Sequence, residues 1–177
     1  MASCRCSSER SGVLRPGARI GLDIGSARIG VAFAPGDAAV AIPLEYVPAK
    51  PRKRALRLIT KQVRERGAIE VVVGLPKHLN GTEGESAHLV REFSAALATM
   101  LPDVRLCLVD ERRSTIAAKE LLHERGIQEK EQRLLIDSVA AQVILEHALE
   151  VERVSAKPPG EEIRVMNLDE RGDDEQQ

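Results

Sequence analysis

The chain has 177 residues, 43% hydrophobic and 30% charged, which is enough for one domain with a well-buried core. It has neither an apolar run near the ~20 residues that a membrane-spanning helix needs nor an apolar signal region at its N-terminus, so we expect a cytoplasmic protein without a membrane partner. The cysteines, Cys4, Cys6 and Cys107, are odd in number and lack zinc-like spacing, which favours free thiols in a reducing compartment.

The net charge of −1 excludes the overall basic signature of many nucleic-acid binders, but the charge is segregated along the chain. Residues 161–177 contain seven acidic and two basic residues, a net of −5, which leaves +4 for residues 1–160. Residues 50–66 contain eight basic residues and one acidic residue. A nucleic-acid surface on part of the molecule therefore stays possible.

Alternating apolar segments predict one α/β domain at 18–150, between a disordered lead-in at 1–17 and a polar, acidic tail at 151–177. Deletion of the acidic residues 161–177 should cost little stability. In chain order, the predicted strands are 19–23, 29–34, 43–47, 69–73 and 104–109, and the predicted helices are 52–66, 82–100, 117–122 and 134–149. Thr82 and Glu85 form a capping-box pattern at the start of the second helix. An antiparallel meander followed by βαβ units predicts a mixed five-stranded sheet with helices on its faces.

Acidic residues fall near the carboxyl ends of predicted strands, where ligands gather in such sheets. Asp23 lies in the first strand, Asp110 and Glu111 end the LCLV strand, and Asp137 lies on a mostly apolar helix face. Converging carboxylates would repel one another, and a divalent cation removes that penalty. An oxygen-only ligand set suits Mg²⁺ or Mn²⁺, whose usual chemistry in such sites is in-line attack of water on a phosphodiester.

Each of these acidic residues also has an ordinary structural interpretation. Asp23 could hydrogen-bond the following glycine turn, Asp110 and Glu111 could mark a strand end, and Asp137 could be a charge on a helix flank. Residue types alone leave these alternatives open.

Four blocks in order and spacing carry a resemblance to a known family. GLDIGSARIGVAF, VVVGLPKHLNGTEGE, VDERRST and IDSVAAQVILEHAL resemble the YqgF/RuvX family of pre-16S rRNA nucleases, which are related to Holliday-junction resolvases and have a ribonuclease-H-like fold. The match covers residues 19–149. It implies a ribonuclease-H-like sheet and a metal-dependent endonuclease that processes pre-16S rRNA in ribosome biogenesis, with a Holliday-junction resolvase as the alternative.

The resemblance also implies roles for individual residues. It makes Asp23, Glu111 and Asp137 the catalytic residues and the ligands of Mg²⁺ or Mn²⁺. If the strand order follows the ribonuclease-H pattern, the LCLV strand lies two positions, roughly 10 Å, from Asp23. Glu111 could then reach a shared metal, whereas Asp110 points to the other face.

Substrate contacts are expected around these acids. The predicted substrate-binding residues of the hairpin turn and the GLP loop are Gly25, Ser26, Arg28, Gly74, Pro76, Lys77, Asn80, Gly81 and Thr82. Arg112 and Arg113 could hold flanking phosphates, and Arg113 stands where the family commonly has Leu.

The helix at 52–66 is a further candidate surface. Its basic residues recur at helical spacing beside the apolar face, and we expect Arg54, Arg57 and Lys61 to contact nucleic acid. Only three aromatic residues occur in the chain, so backbone and shape recognition of structured RNA or branched DNA is favoured over base stacking. The chain could act as a monomer or a homodimer.

Two other functions share this sequence pattern. Asp-x-Gly-Ser followed by a strand also resembles the phosphate-binding hairpin of the actin, sugar-kinase and Hsp70 superfamily, whose members bind ATP between two such domains. The second alternative is a non-catalytic RNA-binding or protein-binding adaptor on the same scaffold. A length of 177 residues suits only one such domain and the sequence has no Walker-type motif, which argues against ATP binding. The three acidic residues argue against the non-catalytic adaptor.

Overall fold

The computed structural model describes residues 14–36, 40–77, 82–110 and 129–163, with side chains in the last range from residue 136 onward. In these ranges the strands are β1 (Ala18–Ile24), β2 (Arg28–Ala34), β3 (Ile42–Pro43), β4 (Val47–Pro48), β5 (Ala68–Leu75), β6 (Arg105–Asp110) and β7 (Glu161–Glu162). The helices are α1 (Arg52–Glu65), α2 (Glu85–Met100) and α3 (Glu129–Ser155). None of these helices is long and apolar enough to cross a bilayer.

The strands form one mixed sheet in the order β3-β2-β1-β5-β6-β7, with β4 also paired to β2. β1 and β2 form an antiparallel hairpin, whereas β1, β5 and β6 run parallel to one another. The carboxyl ends of these three parallel strands therefore lie along one edge of the sheet, which we call the carboxyl edge. This topology confirms the predicted mixed sheet and places β6 two positions from β1.

Helices cover both faces of the sheet. The larger core lies between the sheet and the helices α1 and α2, and it contains Ile20 and Leu22 of β1 together with Ile59 and Val63 of α1. The second core lies between the sheet and α3. β5 is buried along nearly its whole length, as its β-branched run predicts for a strand covered on both faces.

Two elements begin or divide differently from the sequence prediction. The predicted strand at 43–47 is two short strands, β3 and β4, which pair separately with β2, so the sheet has more strands than the five predicted.

The second helix begins at Glu85 with Gly84 as its N-cap and no capping side chain, so the predicted capping box was wrong. Glu83 instead binds Arg91 across the first turns of α2. The predicted helix at 117–122 lies outside the described residues.

The C-terminal part of the body extends further than predicted. α3 continues to Ser155, so the expected domain end at residue 150 falls inside a helix. β7 then pairs antiparallel with β6, and Arg91 Nη1 lies 2.9 Å from Glu161 Oε1. Residues as far as Ile163 therefore pack on the body, because main-chain pairing and ion pairs hold a segment that has little apolar character. Residues 164–177 lie outside the described ranges.

A cluster of five charged side chains lies at the end of the sheet opposite the carboxyl edge. Arg19 is buried and bridges two buried carboxylates, with Nε 3.2 Å from Glu70 Oε2 and Nη2 3.1 Å from Glu152 Oε1. Arg15 binds the same two carboxylates at 2.8 Å each, and Arg105 also binds Glu70. Arg15 lies within the predicted lead-in at 1–17, so the packed body begins before residue 18.

Candidate active site at the carboxyl edge

The β1–β2 hairpin places Asp23 at the carboxyl edge on the face that α3 covers. Asp23 is half-buried near the end of β1, directly opposite Gly30 of β2. Its neighbours Leu22 and Ile24 pack into the core of the opposite face. Because side chains alternate along a strand, the Asp23 carboxylate points toward α3.

Glycine allows α3 to lie very close to this hairpin. A Cβ atom on Gly30 would stand 1.9 Å from the Asp137 carbonyl oxygen, and one on Gly21 would stand 2.7 Å from the Ala141 carbonyl oxygen. Directly opposed residues of an antiparallel pair share a face, so Gly30 and Asp23 face the same turn of α3. The close contact at Gly30 thus brings the main chain of Asp137 to the face of the hairpin that carries Asp23.

Arg28 pairs its positive charge with the Asp137 carboxylate. Its Nε lies 2.9 Å from Asp137 Oδ2, and its guanidinium carbon lies 5.4 Å from the centre of the Tyr46 ring. The Gly25 N–H donates to the Arg28 carbonyl oxygen at 3.0 Å, which closes a tight turn over exposed Ser26. The predicted hairpin residues therefore lie next to Asp23 and Asp137.

The neighbouring strands contribute further predicted residues to this edge. Gly74 is buried in β5, and Pro76 and Lys77 follow directly after that strand. Thr82 is exposed before α2, whereas Asn80 and Gly81 lie outside the described residues.

β6 ends at the same edge with Asp110. Asp110 is exposed and pairs in register with Leu75 of β5. Leu106 and Leu108 of β6 pack in the core with α1 and α2, so strand alternation assigns Asp110 to the face opposite Asp23. The predicted site residues Glu111, Arg112 and Arg113 lie outside the described residues.

The described carboxylates fit part of a site for a divalent cation. Asp23 and Asp137 supply oxygen donors of the kind that Mg²⁺ and Mn²⁺ prefer, and Asp137 already stabilises a positive charge in Arg28. The described residues contain no group of three or more His, Cys, Asp or Glu side chains suited to a metal. The predicted third ligand, Glu111, lies outside the described residues.

Arg52, at the start of α1, is paired with α2, because its Nη1 lies 3.6 Å from Glu92 Oε2. Four further basic residues of α1 divide into two groups. The Ala49 N–H donates to the Ala27 carbonyl oxygen at 3.0 Å, so α1 begins beside the hairpin turn and runs away from the carboxyl edge. Arg54 and Arg57 are exposed near that beginning. No ion pair to another described residue involves either side chain.

The second group lies farther from the site and is compensated by acids. Lys61 Nζ is 3.6 Å from Glu65 Oε1, and Arg64 Nη2 is 2.6 Å from Asp103 Oδ1. Arg64 follows Arg54 by roughly 15 Å along the helix axis. The pairing of Arg64 with Asp103 shows that an acidic residue from outside the segment 50–66 also balances part of its positive charge.

Two residues of the site were not identified from the sequence. A glycine within a strand pattern often marks a close approach of another backbone, and this signal at Gly30 could have located the contact with α3. Tyr46 gave no comparable signal, because its position over Arg28 depends on how β4 pairs with β2.

Comparison with known proteins identifies the family of this chain. Residues 17–151 match the RuvX family, described as Holliday junction resolvase. A Streptomyces coelicolor protein named "Putative pre-16S rRNA nuclease" is 45% identical over 153 residues, which cover 86% of this chain and 92% of that protein. A Streptomyces avermitilis protein of the same name is 44% identical over 153 residues, which cover 86% and 98% of the two chains.

A solved structure shares the fold. Thermus thermophilus RuvC in complex with Holliday junction substrate aligns with a TM-score of 0.57 at 19% identity, covering 80% of this chain and 99% of that chain. At this identity the similarity concerns the fold alone, and it confirms the predicted ribonuclease-H-like architecture.

Proposed function

This chain belongs to the RuvX family of Holliday junction resolvases, and on that basis we propose that it is a divalent-metal-dependent endonuclease that processes the end of precursor 16S rRNA. The family and the names of its relatives identify a nuclease that hydrolyses phosphodiester bonds. The metal, the site residues and the RNA substrate are the parts that we propose.

One observation carries the proposed site. Asp23 and Asp137 come from a strand and a helix that are far apart in the chain, yet the contact at Gly30 places them on one face of the carboxyl edge. Neither side chain is fully buried, so both could act on a substrate in solvent. A purely local role for each acid, in its own turn or helix, would not account for their position on the same face next to Arg28.

The chemistry follows from this donor set. Asp23, Glu111 and Asp137 would hold Mg²⁺ or Mn²⁺, which supplies an activated water and neutralises the charge that develops on the phosphate. Arg28 and Lys77 lie beside this edge, where they would orient the flanking backbone by charge-assisted hydrogen bonds to phosphate oxygens. Arg112 and Arg113 remain predicted phosphate contacts.

The aromatic residues support a substrate that is recognised by backbone and shape. Phe93 is buried in the core, the Phe33 ring lies 5.6 Å from the Arg66 guanidinium, and the Tyr46 ring lies beside Arg28. Phe33 and Tyr46 are half-buried and each has an arginine over one face, so the described rings offer little surface for stacking bases. Structured RNA therefore suits this surface better than an unpaired strand.

The route of the substrate would cross the start of α1. Arg54 and Arg57 are exposed near the hairpin turn and lack ion pairs among the described residues, so their charges are available to phosphates. Lys61 is farther from the edge and already contacts Glu65. We therefore assign the larger part of the electrostatic contact to Arg54 and Arg57.

Asp23→Asn tests the proposed site, with Asp110→Asn as its matched control. Both changes remove one carboxylate charge from the end of a strand at the carboxyl edge, but only Asp23 shares a face with Asp137. We expect Asp23→Asn to abolish cleavage of a precursor 16S rRNA substrate with Mg²⁺ or Mn²⁺ and to keep the parent melting temperature. Asp110→Asn should retain most activity. Equal rates for Asp23→Asn and the parent would contradict the site.

A Holliday-junction resolvase is the second candidate, because the family is described by that activity. The same assay with a four-way DNA junction beside the RNA decides between them: preferential cutting of the junction would replace the RNA assignment. Activity measured across protein concentrations would show whether a monomer or a homodimer is active. The cytoplasm is the compartment we propose, because the odd number of cysteines suits reducing conditions.

A further inference from the structure

Arg28 holds two partners at the carboxyl edge at once. Its Nε lies 2.9 Å from Asp137 Oδ2, and its guanidinium lies 5.4 Å from the Tyr46 ring centre. The Arg28 side chain is 34% exposed and the Asp137 side chain is 28% exposed, so the ion pair lies open to solvent on one side. The pair is therefore accessible to an incoming ion or phosphate.

The backbone under this side chain is fixed. Arg28 pairs in register with Pro48, its carbonyl oxygen accepts a hydrogen bond from the Gly25 N–H, and the preceding Ala27 carbonyl accepts one from the Ala49 N–H. The guanidinium can therefore change partner by side-chain rotation alone. The Tyr46 ring would stay beneath it during that rotation, because a cation–π contact imposes no single hydrogen-bond direction.

The same carboxylate cannot serve Arg28 and a divalent cation equally well. A metal bound to Asp137 at about 2 Å would stand close to the guanidinium, and the two positive charges would repel each other. Arg28 and the metal therefore compete for Asp137. A phosphate that enters the site would offer the displaced guanidinium a new anionic partner.

We propose that Arg28 is an exchangeable counterion of Asp137: it neutralises this carboxylate in the free protein and transfers to a substrate phosphate when the cation binds. This proposal rests on the proposed function, since it takes Asp137 as a metal ligand. It makes metal and nucleic acid bind cooperatively, because each relieves the competition that the other meets. Arg28 is a positioning residue in this scheme.

Mn²⁺ binding to the protein without nucleic acid tests the exchange, and calorimetry or electron paramagnetic resonance measures it without any cleavage. Arg28→Gln removes the competing charge and should bind Mn²⁺ about fivefold more tightly, the factor that corresponds to a partly exposed ion pair. Arg28→Lys keeps the charge and should stay within about twofold of the parent.

Arg153→Gln, on the helix α3 that also carries Asp137, is the matched control for Arg28→Gln. Arg153 Nη2 lies 2.7 Å from Glu150 Oε1, so this variant also breaks one Arg–carboxylate pair, but far from the carboxyl edge. Its Mn²⁺ affinity should equal that of the parent. Short duplex RNA should raise the Mn²⁺ affinity of the parent, and this gain should be smaller in Arg28→Gln.

The variant Asp137→Asn, alone and combined with Arg28→Gln, tests the metal site and the exchange separately. If Asp137 is a ligand, Asp137→Asn weakens Mn²⁺ binding, and adding Arg28→Gln to it no longer tightens binding. Unchanged Mn²⁺ affinity in Asp137→Asn would overturn both the metal site and the exchange. Weaker binding in Asp137→Asn with unchanged or weaker binding in Arg28→Gln would overturn the exchange alone, as would equal tightening by Arg28→Gln and Arg28→Lys.

Discussion

Gly30→Ala should impair catalysis far more than it impairs folding. The added Cβ would stand 1.9 Å from the Asp137 carbonyl oxygen, whereas real Cβ atoms essentially never approach such an atom within 3.0 Å. The turn of α3 that contains Asp137 must therefore move away from β2 by about 1.1 Å, the difference between these two distances. The atoms that this Cβ would meet, in the Asp137 carbonyl group and at Ser138 N, are all main chain, so no flexible side chain can absorb the change.

This displacement acts on Asp137 directly. Metal–ligand distances tolerate deviations of only about 0.2 Å, so a shift of about 1 Å would remove the Asp137 carboxylate from the cation that we propose it shares with Asp23. Misplacement of a catalytic group by ~1 Å can lower the rate about 100-fold. Overpacking of this kind typically lowers the free energy of unfolding by about 1–3 kcal/mol.

The measurement combines single-turnover cleavage of a precursor 16S rRNA substrate with thermal unfolding of the same samples. Gly36→Ala is the control, because a Cβ on Gly36 meets no atom within 4 Å. Gly21→Ala contacts α3 one turn further along, at the Ala141 carbonyl oxygen, and should give a smaller loss of activity at a comparable loss of stability. A folded Gly30→Ala variant that cuts at the parent rate would refute the role of this contact.

Two further predictions concern charged residues away from the proposed metal site. The double change Arg54→Gln and Arg57→Gln should flatten the slope of the logarithm of the binding constant against log salt for duplex nucleic acid by about two units. The double change Lys61→Gln and Arg64→Gln should change this slope by less than about one unit. Equal effects of the two double changes would contradict the assignment of the substrate path to the start of α1. Glu152→Gln should lower the free energy of unfolding at neutral pH by about 3 kcal/mol, because it leaves buried Arg19 without one of its two carboxylates. Burial raises the pKa of Glu152, but its hydrogen bonds with Arg15 and the nearby Arg19 charge bring that pKa below its ordinary value. Because the folded-state pKa is the lower one, the stabilisation from Glu152 is present above the unfolded pKa and is lost as the pH falls through the folded pKa. In chemical denaturation at different pH values, the difference in unfolding free energy between the parent and Glu152→Gln should therefore shrink below about pH 4.

Local patterns were sufficient for most of the elements. The β-branched run after Gly67 predicted β5, and the apolar period through Leu56, Ile59 and Val63 predicted α1, because side-chain alternation and helical spacing are properties of a few consecutive residues. Apolar patterns in the sequence did not predict β7. β7 has two glutamates and no apolar alternation, and its place beside β6 depends on ion pairs with Arg91 and Arg105.

The candidate site shows the same division. The sequence identified Asp23 and Asp137 as candidates and implied their role through four blocks that resemble one family. It left open whether each acid merely served its own turn or helix. That question depended on the distance between a strand and a helix, which no local pattern contains.

The sequence by itself thus determined the order of strands and helices, the family and the acidic residues that could bind a metal, since each of these is carried by residue type and spacing. Only the tertiary structure decided which charges meet. Gly30 brings the main chain of Asp137 to the face that carries Asp23, Arg28 reaches Asp137 from the hairpin, and Arg64 pairs with Asp103 from 39 positions away. The physical reason is that these contacts depend on the packing of α3 on the sheet and of α1 beside α2, and packing distances are set by the whole core.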